Sequence, residues 1–336
     1  MSVNVRMWGK ALRRMPRPTK QEWDALDIVS RWLIATRSAV LLMTFLAVSM
    51  SGVLAWKELR GHVSVGLWIV LCLGLLMAHA TNNLLNDLTD YVKGVDKDNY
   101  FRTQYGPQPL AQGFLSIRQL LKYVAFTGAI ALAAGVYFVW LRGTPALFLL
   151  GVGAVFVLFY TWPLKYIGLG EIAVVVVWGP LMVGGGYMML TGKWSWDVSV
   201  ASFAYALGPT CVLFGKHIDK LEADKGKRIR TLPVLLGERL SRAVVLSMMA
   251  AQYALVVYLV VIRFASPILL IAFLALPTAW KVLPMFRQPR PSEPPPQFPN
   301  GVWPLWYVAG AFLHSARFGM WLLLGLCADA LWTVLG

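Results

Sequence analysis

Residues 80–98, ATNNLLNDLTDYVKGVDKD, decide how the chain is read. They close a long apolar run that begins near Val65, and at its end they set out Asn83, Asn86, Asp87 and Asp90 at i, i+3, i+4 and i+7. If the stretch is helical, these four side chains share one face. Oxygen ligands of this kind suit Mg²⁺, which takes one or two carboxylates and fills its other positions with water or substrate phosphates. A solvated acidic helix end is the plainer alternative. Two features weigh against it. Asn83 and Asn86 interrupt apolar sequence, where polar groups are expensive and usually functional, and a second acidic cluster, Asp219 to Asp224, also follows a long apolar segment.

With 336 residues, 58% hydrophobic and only 14% charged, the chain is too apolar for an ordinary soluble domain of its length. Runs of about 17–25 mostly apolar residues read as membrane spans. The sequence predicts nine: residues 32–56, 64–86, 119–141, 144–160, 169–190, 198–215, 243–262, 265–283 and 306–332. Such spans must be helical, since an open sheet would leave backbone groups unpaired in lipid. The expected fold class is therefore all-α, a polytopic membrane protein with one domain over residues 31–335 behind a basic segment, 1–30.

Lys and Arg accumulate in cytoplasmic loops. That rule puts the N-terminus and both acidic clusters on the cytoplasmic side of the cell (inner) membrane and the C-terminus on the other, leaving Lys57, Arg60, Arg142, Lys193 and Arg263 opposite. The net charge of +15 does not call for nucleic acid, because the basic residues lie in short loops beside apolar spans. Anionic lipid headgroups are the expected partner. Cys72, Cys211 and Cys327 fall in spans without CxxC spacing, which supports neither a disulfide framework nor a zinc site. Residues 1–30 contain no apolar h-region, so no cleavable signal peptide is expected; a short surface helix limited by Pro16 and Pro18 is expected instead.

Further candidates are spread along the chain. Arg37, inside the first span, could snorkel to headgroups or contact an anionic substrate. Arg102, in a loop dense in Gly, Pro and Gln, could complement a diphosphate. Lys165 is the strong cation of the short turn that starts at Tyr160 and breaks at Pro163. The fifth span, with Gly179, Pro180 and Gly184 to Gly186, should be irregular, and Glu171 near its start suits the helix dipole or faces a cavity. Asp219 and Asp224 lie about 140° apart on a regular helix, so they share a metal only if the helix ends near Leu221; Asp219 with Glu222 is the other pairing. His79, His217 and His314 are ambiguous, and the Pro-rich loop 284–304 reads as a linker without chemistry.

Set side by side, these stretches resemble the UbiA superfamily of intramembrane prenyltransferases. The resemblance rests on Asn83-x-x-Asn86-Asp87-x-x-Asp90 followed by Asp96, on Tyr160 with Lys165, and on Asp219…Asp224 leading into Arg230-Thr231-Leu232. Asn86 to Asp96 and Tyr166 to Glu171 look most like the 1,4-dihydroxy-2-naphthoate polyprenyltransferases of menaquinone synthesis. The sequence departs from the pattern in two places: the second motif is commonly D-x-x-x-D, and Gln108-Pro109-Leu110 replaces Arg-Pro-Leu.

The resemblance implies nine helices around a central cavity and Mg²⁺-dependent transfer of a polyprenyl group from its diphosphate to an aromatic acceptor. It implies metal ligation by Asn86, Asp87, Asp90, Asp219 and Asp224, and substrate contacts from Asn83, Arg102, Tyr160, Lys165 and Arg230. Asp87 and Asp219 would be catalytic, with Asp219 the leading choice of base. Other acceptors stay open: 4-hydroxybenzoate, another phenol, haem or a lipid phosphate. A transporter is the rival outside this class.

Overall fold

The structure is a computed structural model and describes residues 3–96, 106–299 and 302–335. Among them every regular element is helical. Three short helices come first: α1 (Val5–Arg13), α2 (Lys20–Ala25) and α3 (Ile28–Ala35). The long elements are α4 (Leu41–Glu58), α5 (Val65–Val92), α6 (Ile117–Arg142), α7 (Thr144–Phe159), α8 (Gly170–Thr191) and α9 (Trp196–Asp219). After two short helices, α10 (Leu221–Gly226) and α11 (Leu232–Leu236), come α12 (Glu238–Val261), α13 (Pro267–Arg287) and α14 (Trp306–Leu335).

Eight helices among the described residues are long and apolar enough to cross a membrane. The remaining expected span, the fourth (residues 144–160), corresponds to α7, a shorter apolar helix of 16 residues. Large apolar side chains point outward from α6 and α7, among them Phe126, Leu132, Trp140, Phe148 and Leu158. Lipid, not water, suits that surface, and the protein is a multi-pass membrane protein.

Polar side chains start the helices. Ser64 caps α5 through the Leu67 amide, and Ser116 with Gln119 forms a capping box at α6. Asp27 caps α3 through the Ser30 amide at 3.0 Å and also accepts from the Trp8 indole at 3.0 Å. Burial pushes the Asp27 carboxyl up, but the bonds from Ser30, Trp8 and Asn4 together outweigh that and hold it well below the ordinary carboxylate range. The N-terminal segment thus folds back rather than lying loose: Trp23 stacks on Phe114, centroids 4.9 Å apart, in a core shared with Ala11, Leu84, Leu110 and Leu120.

Two expected spans differ in detail. The first is not one helix, because Arg37 has φ 56 and the chain turns between α3 and α4. The second continues through Asp90 to Val92, which keeps the whole polar face on one helix. The fifth is irregular as expected, with π-helical geometry over Val177–Gly184 around Pro180.

The helices alternate in direction, so the ends of α5, α7, α9 and α13 meet the starts of α6, α8, α12 and α14 at one polar end. At the opposite end Lys57 binds Asp329 at 2.6 Å and the Phe264 carbonyl at 3.1 Å, and Arg142 donates to the carbonyls of Met189 and Leu190. Two of the basic residues found against the charge bias therefore have structural work there. Gly215 of α9 packs directly on the backbone of α14, where a Cβ would lie 2.7 Å from the Tyr307 carbonyl oxygen and 2.9 Å from the Val308 Cα. Because backbone cannot step aside, Gly215→Ala should destabilise the protein by about 1–3 kcal/mol. Gly151→Ala, with open space around it, should not; thermal unfolding of both variants in detergent checks this.

Candidate active site

An apolar cavity of about 570 Å³ runs through the bundle. Its polar lining is concentrated where Arg37, Asn82, Asn83, Asn86, Tyr160 and Lys216 meet, and its body includes Trp178 and His79. Each asparagine is positioned by a carbonyl or hydroxyl on a neighbouring segment. Asn82 donates to the Val157 carbonyl at 2.9 Å, Asn83 to the Thr36 carbonyl at 2.9 Å, and Asn86 to the Thr161 hydroxyl at 3.1 Å. His79 is held by Thr44 at 2.8 Å and meets the Trp178 ring edge-on at 5.2 Å.

The first acidic face is buried, as its place in an apolar helix requires: Asp87 and Asp90 are closed off, and Asn83 and Asn86 show only a small edge to the cavity. The left-handed turn at Arg37 brings its guanidinium 3.6 Å from Asp87 Oδ1. So Arg37 turns inward to a carboxylate instead of snorkelling to headgroups. Lys165 reaches Asp90 with both carboxylate oxygens in range, at 2.8 and 3.0 Å, and both residues are buried. The Asn86 amide oxygen is buried with no hydrogen-bond partner among the described residues. An orphaned oxygen beside two carboxylates on one helix face is a donor set that fits a hard divalent cation.

The second acidic cluster differs from its expected form. Asp219, expected as a metal ligand and base, accepts the backbone amides of Tyr307 at 3.0 Å and Val308 at 2.9 Å, with Arg290 Nη1 at 3.9 Å. It caps α14 from another helix, a role invisible in local spacing. Asp224 instead takes Lys220 at 2.7 Å, and both are fully buried. Arg290 comes from the Pro-rich loop, which therefore contributes a cation beside this cluster as well as linking two spans. Glu222, the other partner considered for Asp219, is exposed.

The two clusters share the polar end, bridged where Lys227 donates to the Gly94 carbonyl at 3.3 Å. Glu171 and His217, ambiguous in the sequence, form a buried pair, and Glu171 also accepts the Leu232 amide at 3.3 Å. This ties α8, α9 and the loop after α10 together. Arg230 is exposed near Gly168, where the Arg230 carbonyl makes a close approach. Arg102 lies outside the described residues. His314 bonds Tyr253 at 3.0 Å, away from both acidic clusters. Asn82, Lys220 and Arg290 are additions to the expected set, and Arg37 takes the inward one of its two readings.

A family model described as the UbiA prenyltransferase family matches residues 40–306. The chain belongs to that family and is a prenyltransferase. It is 27% identical over 281 residues to the zebrafish "UbiA prenyltransferase domain-containing protein 1", covering 78% of each chain. It is 29% identical over 216 residues to the 1,4-dihydroxy-2-naphthoate octaprenyltransferase of Escherichia coli K12, covering 62% of this chain and 68% of that one. The apo UbiA homologue of Aeropyrum pernix superposes with TM-score 0.64 at 20% identity, over 85% of this chain and 97% of the homologue. The Archaeoglobus fulgidus homologue bound to GPP and Mg²⁺ does so with TM-score 0.57 at 17% identity, over 88% and 99%.

The Lys165–Asp90 pair carries a direct prediction. Removing one member strands a buried charge, so Lys165→Met should cost about 3–5 kcal/mol. Adding Asp90→Asn in the same chain should recover most of that loss, as read from the unfolding midpoints of the two single variants and the double variant.

Proposed function

We propose that this chain transfers a prenyl group from a polyprenyl diphosphate to an aromatic acceptor, 1,4-dihydroxy-2-naphthoate or a related quinone precursor. The observation that carries the reading is the long apolar cavity whose polar end gathers Asn83, Asn86, Tyr160 and Arg37 beside Asp87 and Asp90. Such a shape suits a ligand with an apolar tail and an anionic head. Likeness to the Escherichia coli octaprenyltransferase favours the naphthoate, and likeness to the A. fulgidus homologue, which holds GPP and Mg²⁺, favours an isoprenyl diphosphate and a divalent ion.

Asn86, Asp87 and Asp90 would hold Mg²⁺ at the first cluster. Bound there, the ion supplies positive charge to the departing diphosphate. Arg37 and Lys165 already stand against these carboxylates and would turn to, or share, the phosphate oxygens; Arg230 and Arg102 are the outer contacts. Cleavage of the allylic C–O bond sends its electron pair to the diphosphate and leaves a cation that an electron-rich ring carbon attacks; the ring regains aromaticity by losing from that carbon either a proton, which the released diphosphate takes, or its carboxylate as CO2. The rings of Tyr160 and Trp178 face the cavity, where their π-faces stabilise that charge and its apolar walls exclude water that would quench it. Asp219 we assign to structure rather than to proton abstraction, because its carboxylate is occupied by the start of α14. The positive-inside bias supports a cytoplasmic position for this polar end, with the N-terminus inside and the C-terminus outside.

The test is product formation by purified protein in detergent, given labelled geranylgeranyl diphosphate, Mg²⁺ and a panel of acceptors, with products identified by mass spectrometry. We expect prenylated naphthoate, with equimolar diphosphate released. Asp87→Asn should lower turnover per folded molecule by about 10²–10³-fold, on top of the fall in melting temperature that goes with losing the Arg37 contact. Asp219→Asn should lower the melting temperature more than its turnover per folded molecule. Product on a different ring would move the acceptor; no diphosphate release with any acceptor would refute the reading.

A further inference from the structure

The second acidic loop does not fit the metal that the family resemblance assigns to it. Of its three acids, Asp219 is tied to the amides of Tyr307 and Val308, and Glu222 is exposed. That leaves Asp224, whose Oδ1 holds the Lys220 ammonium at 2.7 Å with both side chains at most 1% exposed. A single carboxylate oxygen, Asp224 Oδ2, has no hydrogen-bond partner among the described residues. One oxygen beside an ammonium is a poor seat for Mg²⁺, which needs near-octahedral oxygen ligands and would be repelled by the neighbouring positive charge. Lys165 stands against Asp90 in the same way, but there Asp87 and the Asn86 amide oxygen supply further donors on the same helix face, and this loop supplies none beyond Asp224.

We propose that this chain carries one divalent-metal site rather than two, and that the Lys220 ammonium, held on Asp224, supplies the positive charge a second ion would bring to this loop. The proposal rests on the prenyl diphosphate reading above. The position suits the task. Lys216, one turn before Lys220, lines the cavity, and the loop is joined to the first cluster through Lys227 and Gly94. Sequence order explains the substitution as well: Lys220-x-x-x-Asp224 has the spacing of the D-x-x-x-D pattern with a cation in its first place. In a buried setting a fixed ammonium neutralises Asp224 permanently, whereas a pair of carboxylates must wait for metal.

The experiment is equilibrium dialysis of the full-length protein in detergent with radiolabelled Mn²⁺ and inorganic pyrophosphate, counting bound Mn²⁺ per bound pyrophosphate. We expect one in the wild type and two in Lys220→Asp. Two in the wild type overturns the proposal without touching the prenyl diphosphate reading, and one in both proteins overturns the assignment to Lys220. Should Lys220→Asp fail to fold, Lys220→Gln serves: Mn²⁺ stays at one while pyrophosphate binds about tenfold more weakly, the loss of one fixed positive charge beside the site. Unchanged pyrophosphate affinity there overturns the proposal. Absence of any pyrophosphate binding by the wild type strikes the prenyl diphosphate reading itself.

Discussion

Buried carboxylates in an apolar bundle must be neutralised, and that requirement organises the polar end. Taking a charge out of water costs several kcal/mol unless a counter-charge or hydrogen bonds replace the lost hydration. Here three acids recruit partners from other segments: Asp87 faces Arg37 from the turn before α4, Asp90 faces Lys165 from the turn before α8, and Asp219 meets the first amides of α14. Asp224 is the exception, neutralised within its own loop by Lys220. These contacts join the helix ends into a ring of fixed charge above an apolar chamber. The arrangement is rigid because each interaction would leave an unpaired charge if its geometry failed. It is also suited to an anionic ligand, which can take over cations already held in place.

Much of this was legible in the sequence, and the failures share a cause. The polar face of α5 could be read directly, since four residues on one helix obey a local rule of spacing. The irregularity of α8 followed from its Gly and Pro content. Arg37 was not settled, because its role depends on a left-handed residue that breaks the first apolar run, and no local pattern announces one at arginine. Asp219 and Asp224 looked equivalent in sequence. They part company because one carboxylate points across the bundle to an uncapped helix start and the other along its own chain to a lysine. That difference lies in long-range packing, which residue spacing does not carry.

The flanking segments were under-read for the same reason. Residues 1–30 look like a detached basic surface helix, yet Asp27 gathers Asn4, Trp8 and Ser30, and Trp23 stacks on Phe114 from the loop before α6. The Pro-rich loop looks inert, yet it carries Arg290 to the Asp219 carbonyl and to Pro304. In both cases composition described the segment correctly as basic or proline-rich. What composition could not indicate was which neighbour the segment would touch, and both neighbours belong to the polar end.

The π-helical stretch of α8 has a geometric consequence for the chamber wall. Ala173, Val177, Leu181, Gly185 and Met189 all line the cavity at steps of four residues. On a regular α-helix such a stripe would wind away by about 40° at each step, and by the last residue it would have turned from the chamber altogether. The wider turns over Val177–Gly184 take up that drift. One continuous strip therefore panels the chamber from the charged end to the far end. A helix without this loosened winding would present only half of that strip, and a long hydrocarbon tail would lose its flat, unbroken floor.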